Sequence, residues 1–143
     1  MSEINFNSIF DGVSLALHAA FPDRQVHGGS VKQGLNDGDF NVFMPGVVNA
    51  KEVGPRYRRT PTVDVIYYPR DRKRLTAECY DLAQQMAQVL ESIVTPEGDT
   101  VHATSMEFQT TDDVLHMIAR YDHFARIVPE PVMMETLQVK QEG

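Results

Sequence analysis

The chain has 143 residues, a hydrophobic fraction of 42% and a formal net charge of −7, the profile of one globular domain with enough apolar residues for a real core. Its apolar runs are far too short to span a bilayer, and the opening MSEINFNSIF has an early Glu3 and none of the basic residues that begin a secretory leader. An acidic total argues against a dedicated duplex-DNA binder, and the single cysteine, Cys79, excludes an internal disulfide and fits a reducing cytoplasm.

Residues 4–21 read as a helix, because Phe6, Ile9, Phe10, Val13, Leu17 and Phe21 recur at steps of three and four and Pro22 and Asp23 stop the pattern. QVHGGSV, 25–31, predicts a short strand weakened by its glycine pair. QGLNDGD, 33–39, is turn chemistry, with Gly34 and Gly38 free to take positive φ. FNVFMPGVV, 40–48, predicts a strand ending near Pro45 and Gly46. The clearest strand is TVDVIYY, 62–68, β-branched and aromatic and bounded by Pro61 and Pro69.

Residues 73–94 predict the strongest helix, with Leu75, Cys79, Leu82, Met86, Val89, Leu90 and Ile93 in one stripe and TPEGD ending it. Residues 100–109 and 114–127 then predict a long hairpin across TTDD, with Leu115, Met117, Ala119 and Tyr121 alternating against His116, Ile118, Arg120 and Asp122. The order α-β-β-β-α-β-β implies an α+β domain over 1–127, mainly antiparallel, with both helices on one face of the sheet. Beyond 127 the pattern dissolves into VPEPVMMETLQVKQEG, a C-terminal extension over 128–143 with more apolar residues than a free tail needs, and a candidate interaction arm.

Charge is unevenly spread. Residues 51–74 hold Lys51, Arg56, Arg58, Arg59, Arg70, Arg72, Lys73 and Arg74 against Glu52, Asp64 and Asp71, +8 − 3 = +5, so the remainder carries −12. A basic band in an acidic body suits contact between charged surfaces, subunit with subunit included. Tyr57, Tyr67 and Tyr68 among these arginines also have the composition of a single-strand stacking platform; the plainer reading has tyrosines packing on the sheet and arginines flanking a strand edge.

Other chemistry is thin. A hairpin closed over Asp112 and Asp113 alone would set His102 opposite His123, but no third metal ligand is fixed by spacing, and His18, His27 and His116 add no motif. Cys79 sits on an apolar stripe, where a structural cysteine is expected. HGGSVKQG lacks the phosphate-loop pattern and opens no helix. No constellation implies an enzyme, a metal or another cofactor.

Taken in order, INFNSIFDGVSLALHAAFP, VKQGLNDGDFNVFM, RYRRTPTVDVIYYP, ECYDLAQQMAQVLESI and DDVLHMIARYDHF, which cover roughly 4–127, resemble the tail terminator (tail completion) proteins of long-tailed bacteriophages and prophages. The resemblance implies a structural virion protein at the head-proximal end of the tail, assembled in the host bacterial cytoplasm. It implies a homo-oligomer, a hexameric ring, that caps the tail tube, ends its polymerisation and forms the surface for head–tail joining. The implied partners are the tube protein and a head–tail connector protein, with genome DNA passing through the hole without sequence-specific binding and no membrane involved. On that reading Arg56, Tyr57, Arg58, Arg59, Arg70, Arg72, Lys73 and Arg74 are candidates for the subunit interface or the lumen. The alternatives are a neck or head-completion protein, and a small single-strand nucleic-acid-binding module built on Tyr57, Tyr67 and the arginines.

Overall fold

A computed structural model describes residues 4–29 and 36–126. Helix α1 (Phe6–Ala20) opens where the Asn5 side chain accepts the Ser8 N–H at 2.8 Å, satisfying one of the donors that a helix start leaves open. It ends where the Phe21 N–H returns to the Leu17 carbonyl. Ile9, Val13 and Leu17 of the predicted stripe are fully buried, while Phe6 and Phe10 are half-buried at its margin.

Three strands follow: β1 (Val26–Gly28), β2 (Phe40–Lys51) and β3 (Arg56–Tyr67). The 25–31 strand is thus present over three residues; its last two positions, the first part of the 33–39 turn and the 128–143 extension lie outside the described residues. β2 does not end near Pro45. The register slips between Phe43 and Gly46, so that Met44 and Pro45 together face one residue of β3, and the strand runs on to Lys51. A bulge leaves a residue out of the ladder, which is where a proline without an N–H is tolerated.

β3 likewise begins six residues before the predicted Thr62. Its partners lie on both sides, β2 along one edge and β7 (Val114–Arg120) and β8 (His123–Arg126) along the other. β7 and β8 keep one register, Thr62 opposite Arg120 and Arg59 opposite His123, so the predicted strand 114–127 is one line of chain interrupted at Tyr121 and Asp122. Pro61 is the cause. Its carbonyl accepts the Tyr121 N–H at 3.2 Å, but it has no N–H to return. The His123 Nδ1–H donates to the Tyr121 carbonyl instead, at 3.2 Å, so this buried histidine replaces the missing ladder bond and is fixed as the Nδ1–H tautomer.

A 3-10 turn (Arg72–Arg74) leads into α2 (Leu75–Leu90), which buries Cys79, Leu82, Ala83, Met86 and Leu90. The helix stops four residues earlier than predicted. Ser92–Val94 is β4, paired with β5 (Thr100–His102) in a separate two-stranded sheet. Ile93 remains buried, but as a strand residue beside α1, where it and the Val94 carbonyl approach Gly12 closely. The predicted strand 100–109 is therefore two strands, β5 and β6 (Ser105–Thr111), parted at Ala103 and Thr104.

The large sheet runs β1-β2-β3-β7-β6, with β8 also on β3; every pairing is antiparallel except β1 with β2. The chain is an α+β domain, with α1 and α2 touching each other and one face of the large sheet. Between them lie Phe40, Val42, Val63, Val65, Tyr67, Leu115, Met117 and Ala119, all fully buried. Tyr121 closes this core: it is fully buried and its hydroxyl donates to the Leu90 carbonyl at 2.6 Å, tying the sheet to the C-terminal end of α2. Tyr121→Phe leaves that carbonyl without its donor in a dry place and should cost about 1–2 kcal/mol. Urea unfolding with an unchanged slope and a lower midpoint is the expected result.

Candidate subunit interface

The basic stretch is not one patch. Arg56, Tyr57, Arg58 and Arg59 begin β3, whereas Arg70, Lys73 and Arg74 follow its other end. Nine residues of strand separate Arg58 from Tyr67, about 30 Å at the usual rise. Alternation splits the first group again. Tyr57 and Arg59 share the helix-facing side with Val63, Val65 and Tyr67, whereas Arg56 and Arg58 share the uncovered side with Asp64 and Ile66.

At the near end β2 and β3 form a ribbon that turns through residues 52–55, with Gly54 at φ +65. Arg59 lies against the body: its guanidinium sits 5.3 Å from the Phe6 ring, and its Nε donates to the Asn49 side chain at 3.1 Å. Arg56 and Arg58 are exposed. Arg56 stacks 3.7 Å from the centre of the Phe124 ring and lies 3.8 Å from Glu52. Phe124 remains 53% exposed and Val53, at the turn, 89%. Val53, Pro55, Arg56, Phe124 and Ala125 line a shallow apolar hollow of about 390 Å³.

At the far end hydrogen bonds converge on one carboxylate, while the side chains of Arg70, Lys73 and Arg74 are exposed. Glu78 of α2 accepts the Tyr67 hydroxyl and the N–H groups of Arg70 and Asp71. Arg24 donates to the Tyr67 hydroxyl at 3.1 Å and the Gly38 carbonyl at 3.2 Å, and stacks over the Tyr67 ring. Arg70 crosses directly above Gly38. Arg24, Tyr67 and Glu78 border a cleft of about 260 Å³ that Asp71, Arg74 and Asp81 also line. Burial alone would raise the Glu78 pKa, but the Tyr67 hydroxyl, the two N–H groups and the Arg24 charge outweigh it and hold the carboxyl below its ordinary value. Burial, and then the bond to Glu78, push the Tyr67 hydroxyl well above the usual tyrosine range. The knot fastens the end of β3 to the start of α2.

A third feature lies on the opposite edge. Among the described residues β6 is the last strand of the large sheet on this side. Between it and α2, Tyr80, Ala83, Gln84, Ala87 and Phe108 line a second hollow of about 390 Å³, with Tyr80 55% exposed.

Several sequence candidates are dispersed. Tyr67 is wholly buried with its hydroxyl engaged, so it is unavailable for base stacking and the platform of Tyr57, Tyr67 and the arginines does not form. The hairpin does close over Asp112 and Asp113, both at positive φ, with Thr111 opposite Val114. That register ends at Ser105 and Arg120, however, so His102 pairs with Ser92 and His123 with Arg59, and the two histidines do not meet. His116 bonds Asp64 at 3.1 Å and His27 bonds Asp39 at 3.0 Å. Among the described residues no three His, Cys, Asp or Glu side chains are grouped to hold a metal ion. Cys79 is buried, and burial, with Glu78 nearby, pushes its thiol pKa up, the reverse of an activated nucleophile. HGGSVKQG lies mostly outside the described residues. Sequence reading missed Arg24 and Glu78, whose roles depend on distant partners, and the hollow by Phe124. Val53, a lone aliphatic residue in a turn, was its one visible sign.

Two expectations follow from the knot. A carboxyl whose folded pKa is depressed adds stability above its unfolded pKa, near 4.3, and loses it as pH falls through the folded value. Asp39 acts in the same direction: burial would raise its pKa, but the Asn36 N–H and His27 lower it further. Stability should therefore fall below about pH 4.3, and Glu78→Gln should be less stable at pH 7 by about 1–3 kcal/mol with a shallower acid limb, Asp39 keeping the rest. Gly38 has φ +92, and a Cβ there would run into the Arg70 guanidinium. Gly38→Ala should cost about 1–3 kcal/mol in thermal or urea unfolding.

Comparison with known proteins bears on what such a chain does. No curated protein matches it. Twenty-four solved chains match; one of them is 14% identical over 87% of this chain and 94% of its own, with a TM-score of 0.46, too loose a likeness to bear on function. The family model for phage tail terminator protein matches residues 8–133. That match takes in both helices and all eight strands, save only the first two residues of α1. The chain belongs to the phage tail terminator protein family.

Proposed function

We propose that this protein caps the head-proximal end of the tail tube as a ring of copies, a hexamer, ends tube polymerisation and forms the surface on which the head joins. Family membership makes it a structural component of a phage tail that associates with other virion parts. The single observation that carries the finer reading is the extent of that match, residues 8–133. On this reading the protein works by contact and has no catalytic residue; its partners are its own copies, the tube protein and the head–tail connector, with the genome passing through the hole.

The physical character of the surface supports the reading. No helix among the described residues is long and apolar enough to cross a membrane. The exposed Arg56 and Arg58 lie beside exposed apolar side chains, Phe124 and Val53, a mixture common at protein contacts. The neck or head-completion reading shares this chemistry and differs in where assembly fails.

Deletion of the gene in the source phage or prophage, followed by induction and negative-stain imaging, tests it. Unjoined tubes of abnormal and variable length beside filled heads are expected. Tails of normal length with empty or leaking heads would place the protein on the head side of the joint instead.

A further inference from the structure

We infer that the end of the β2–β3 ribbon of one copy seats in the hollow between α2 and β6 of the next, so that the copies join head to tail. The inference deepens the ring reading and rests on it.

Two apolar hollows of the same size lie on one chain. One is lined by Val53, Pro55, Arg56, Phe124 and Ala125, the other by Tyr80, Ala83, Gln84, Ala87 and Phe108. They cannot cover each other within that chain. Phe124 is opposite Arg58, and Phe108 is opposite Met117, which is opposite Val65. Seven residues of strand therefore separate them, roughly 25 Å. They also lie on opposite faces, Phe124 beside Arg56 and Arg58 on the uncovered side and Phe108 beside α2 on the helical side. Among the described residues neither hollow has a cover.

Charge names the partner. The ribbon end exposes Lys51, Arg56 and Arg58 against Glu52, a balance of +3 − 1 = +2. Residues 75–119, which build α2, β6 and most of β7, contain no Lys or Arg and eight acids: Glu78, Asp81, Glu91, Glu97, Asp99, Glu107, Asp112 and Asp113. Glu91 lies one turn beyond Ala87 on the same stripe as Tyr80 and Gln84, and it is exposed; Glu107, exposed on the same strand as Phe108, points to the other face of β6. A basic rim around one apolar hollow thus meets a hollow flanked by Glu91 in a stretch of chain without Lys or Arg, so two copies complement each other while two ribbon ends repel. The patches differ, so the contact is heterologous, and repetition builds a ring when the rotation closes. Val53, the most exposed of the large apolar side chains at 89%, is the group placed to enter the second hollow.

A cysteine pair tests this on finished tails. Val53 and Gln84 are exposed and Cys79 is buried, so Val53→Cys and Gln84→Cys add accessible thiols without touching the core. Tails from cells making the double variant are oxidised with copper phenanthroline and run on a non-reducing gel. A ladder of multimers of this chain is expected. Either single variant alone should stay monomeric, and the two co-expressed should give short disulfide species dominated by dimers, since each copy brings only one half of the contact. Monomers from the double variant on capped tails of normal length would overturn the inference and leave the ring reading standing. Dimers from Val53→Cys alone would also overturn it, because they mean two identical patches meeting. Finished tails that lack this chain altogether would remove the terminator reading itself, and the inference with it. As a second arm, Arg56→Glu with Arg58→Glu should leave the fold and melting curve intact yet give overlong tubes, and adding Glu91→Arg to the same chain should restore capping at least in part. Normal tails from the first variant would count against the contact.

Discussion

The structure depends on the length of β3. A strand rises about 3.3 Å per residue and a helix 1.5 Å. Twelve residues of β3 therefore span about 40 Å, while the 15 and 16 residues of α1 and α2 span less than 25 Å each. Helices of that length do not cover the strand from end to end. The half from Val63 to Tyr67 lies under them and alternates buried with half-buried; the half from Arg56 to Thr60 lies beyond and contains no buried residue. Apolar side chains occupy the first half and arginines the second because only the first half has something dry to pack against.

A strand of that length must still keep its backbone paired on both edges, and β3 contains a proline in its middle. Pro61 interrupts the line of β7 and β8 that its unpaired side faces, and it is tolerated because the His123 ring supplies the missing donor. His123 is thus a backbone substitute, which accounts for its burial without invoking chemistry. The Pro45 bulge answers the same difficulty in β2 differently, by taking the proline out of register. Together these devices let a ribbon of two twelve-residue strands project from a small domain.

Local patterning was enough for both helices, for the β-branched core of β3 and for a hairpin across TTDD, because each is encoded within a few residues; the sequence alone leaves open whether its turn holds two residues or more. The ends of β2 and β3 were not legible. Pro45 and Pro61 read as boundaries, and their accommodation depends on residues 18 to 62 positions away. The same holds for β1: its parallel pairing with β2 is a relation between segments that no local pattern carries. The candidate interface shows the split most plainly. The excess of arginine was visible as composition, but alternation and strand length divided it. Arg59 went to the helical face, Arg56 and Arg58 to the open face, and Arg70 to a knot about 30 Å away. A run of basic residues in sequence became separate exposed groups, Lys51, Arg56 and Arg58 at one end of β3 and Arg70, Lys73 and Arg74 at the other.

That division also bears on the choice between nucleic acid and protein as a partner for the ribbon. A phosphate-binding groove needs several cations tracking a backbone, with aromatic faces open for bases. Here the aromatic ring that would serve best, Tyr67, is buried, and Arg24 and Glu78 hold it there. Arg59 is stacked on Phe6, and Arg56 on Phe124. What the ribbon exposes is a small cationic rim around an apolar centre, in a chain of net charge −7 whose residues 75–119 carry every sign needed to match it. A DNA polymer in the same place would meet Arg58, an Arg56 already stacked on Phe124 and beside Glu52, and that phenylalanine, while the acidic body around them repelled its phosphates. An acidic protein surface with its own apolar hollow meets no such repulsion, and a second copy of this chain has one.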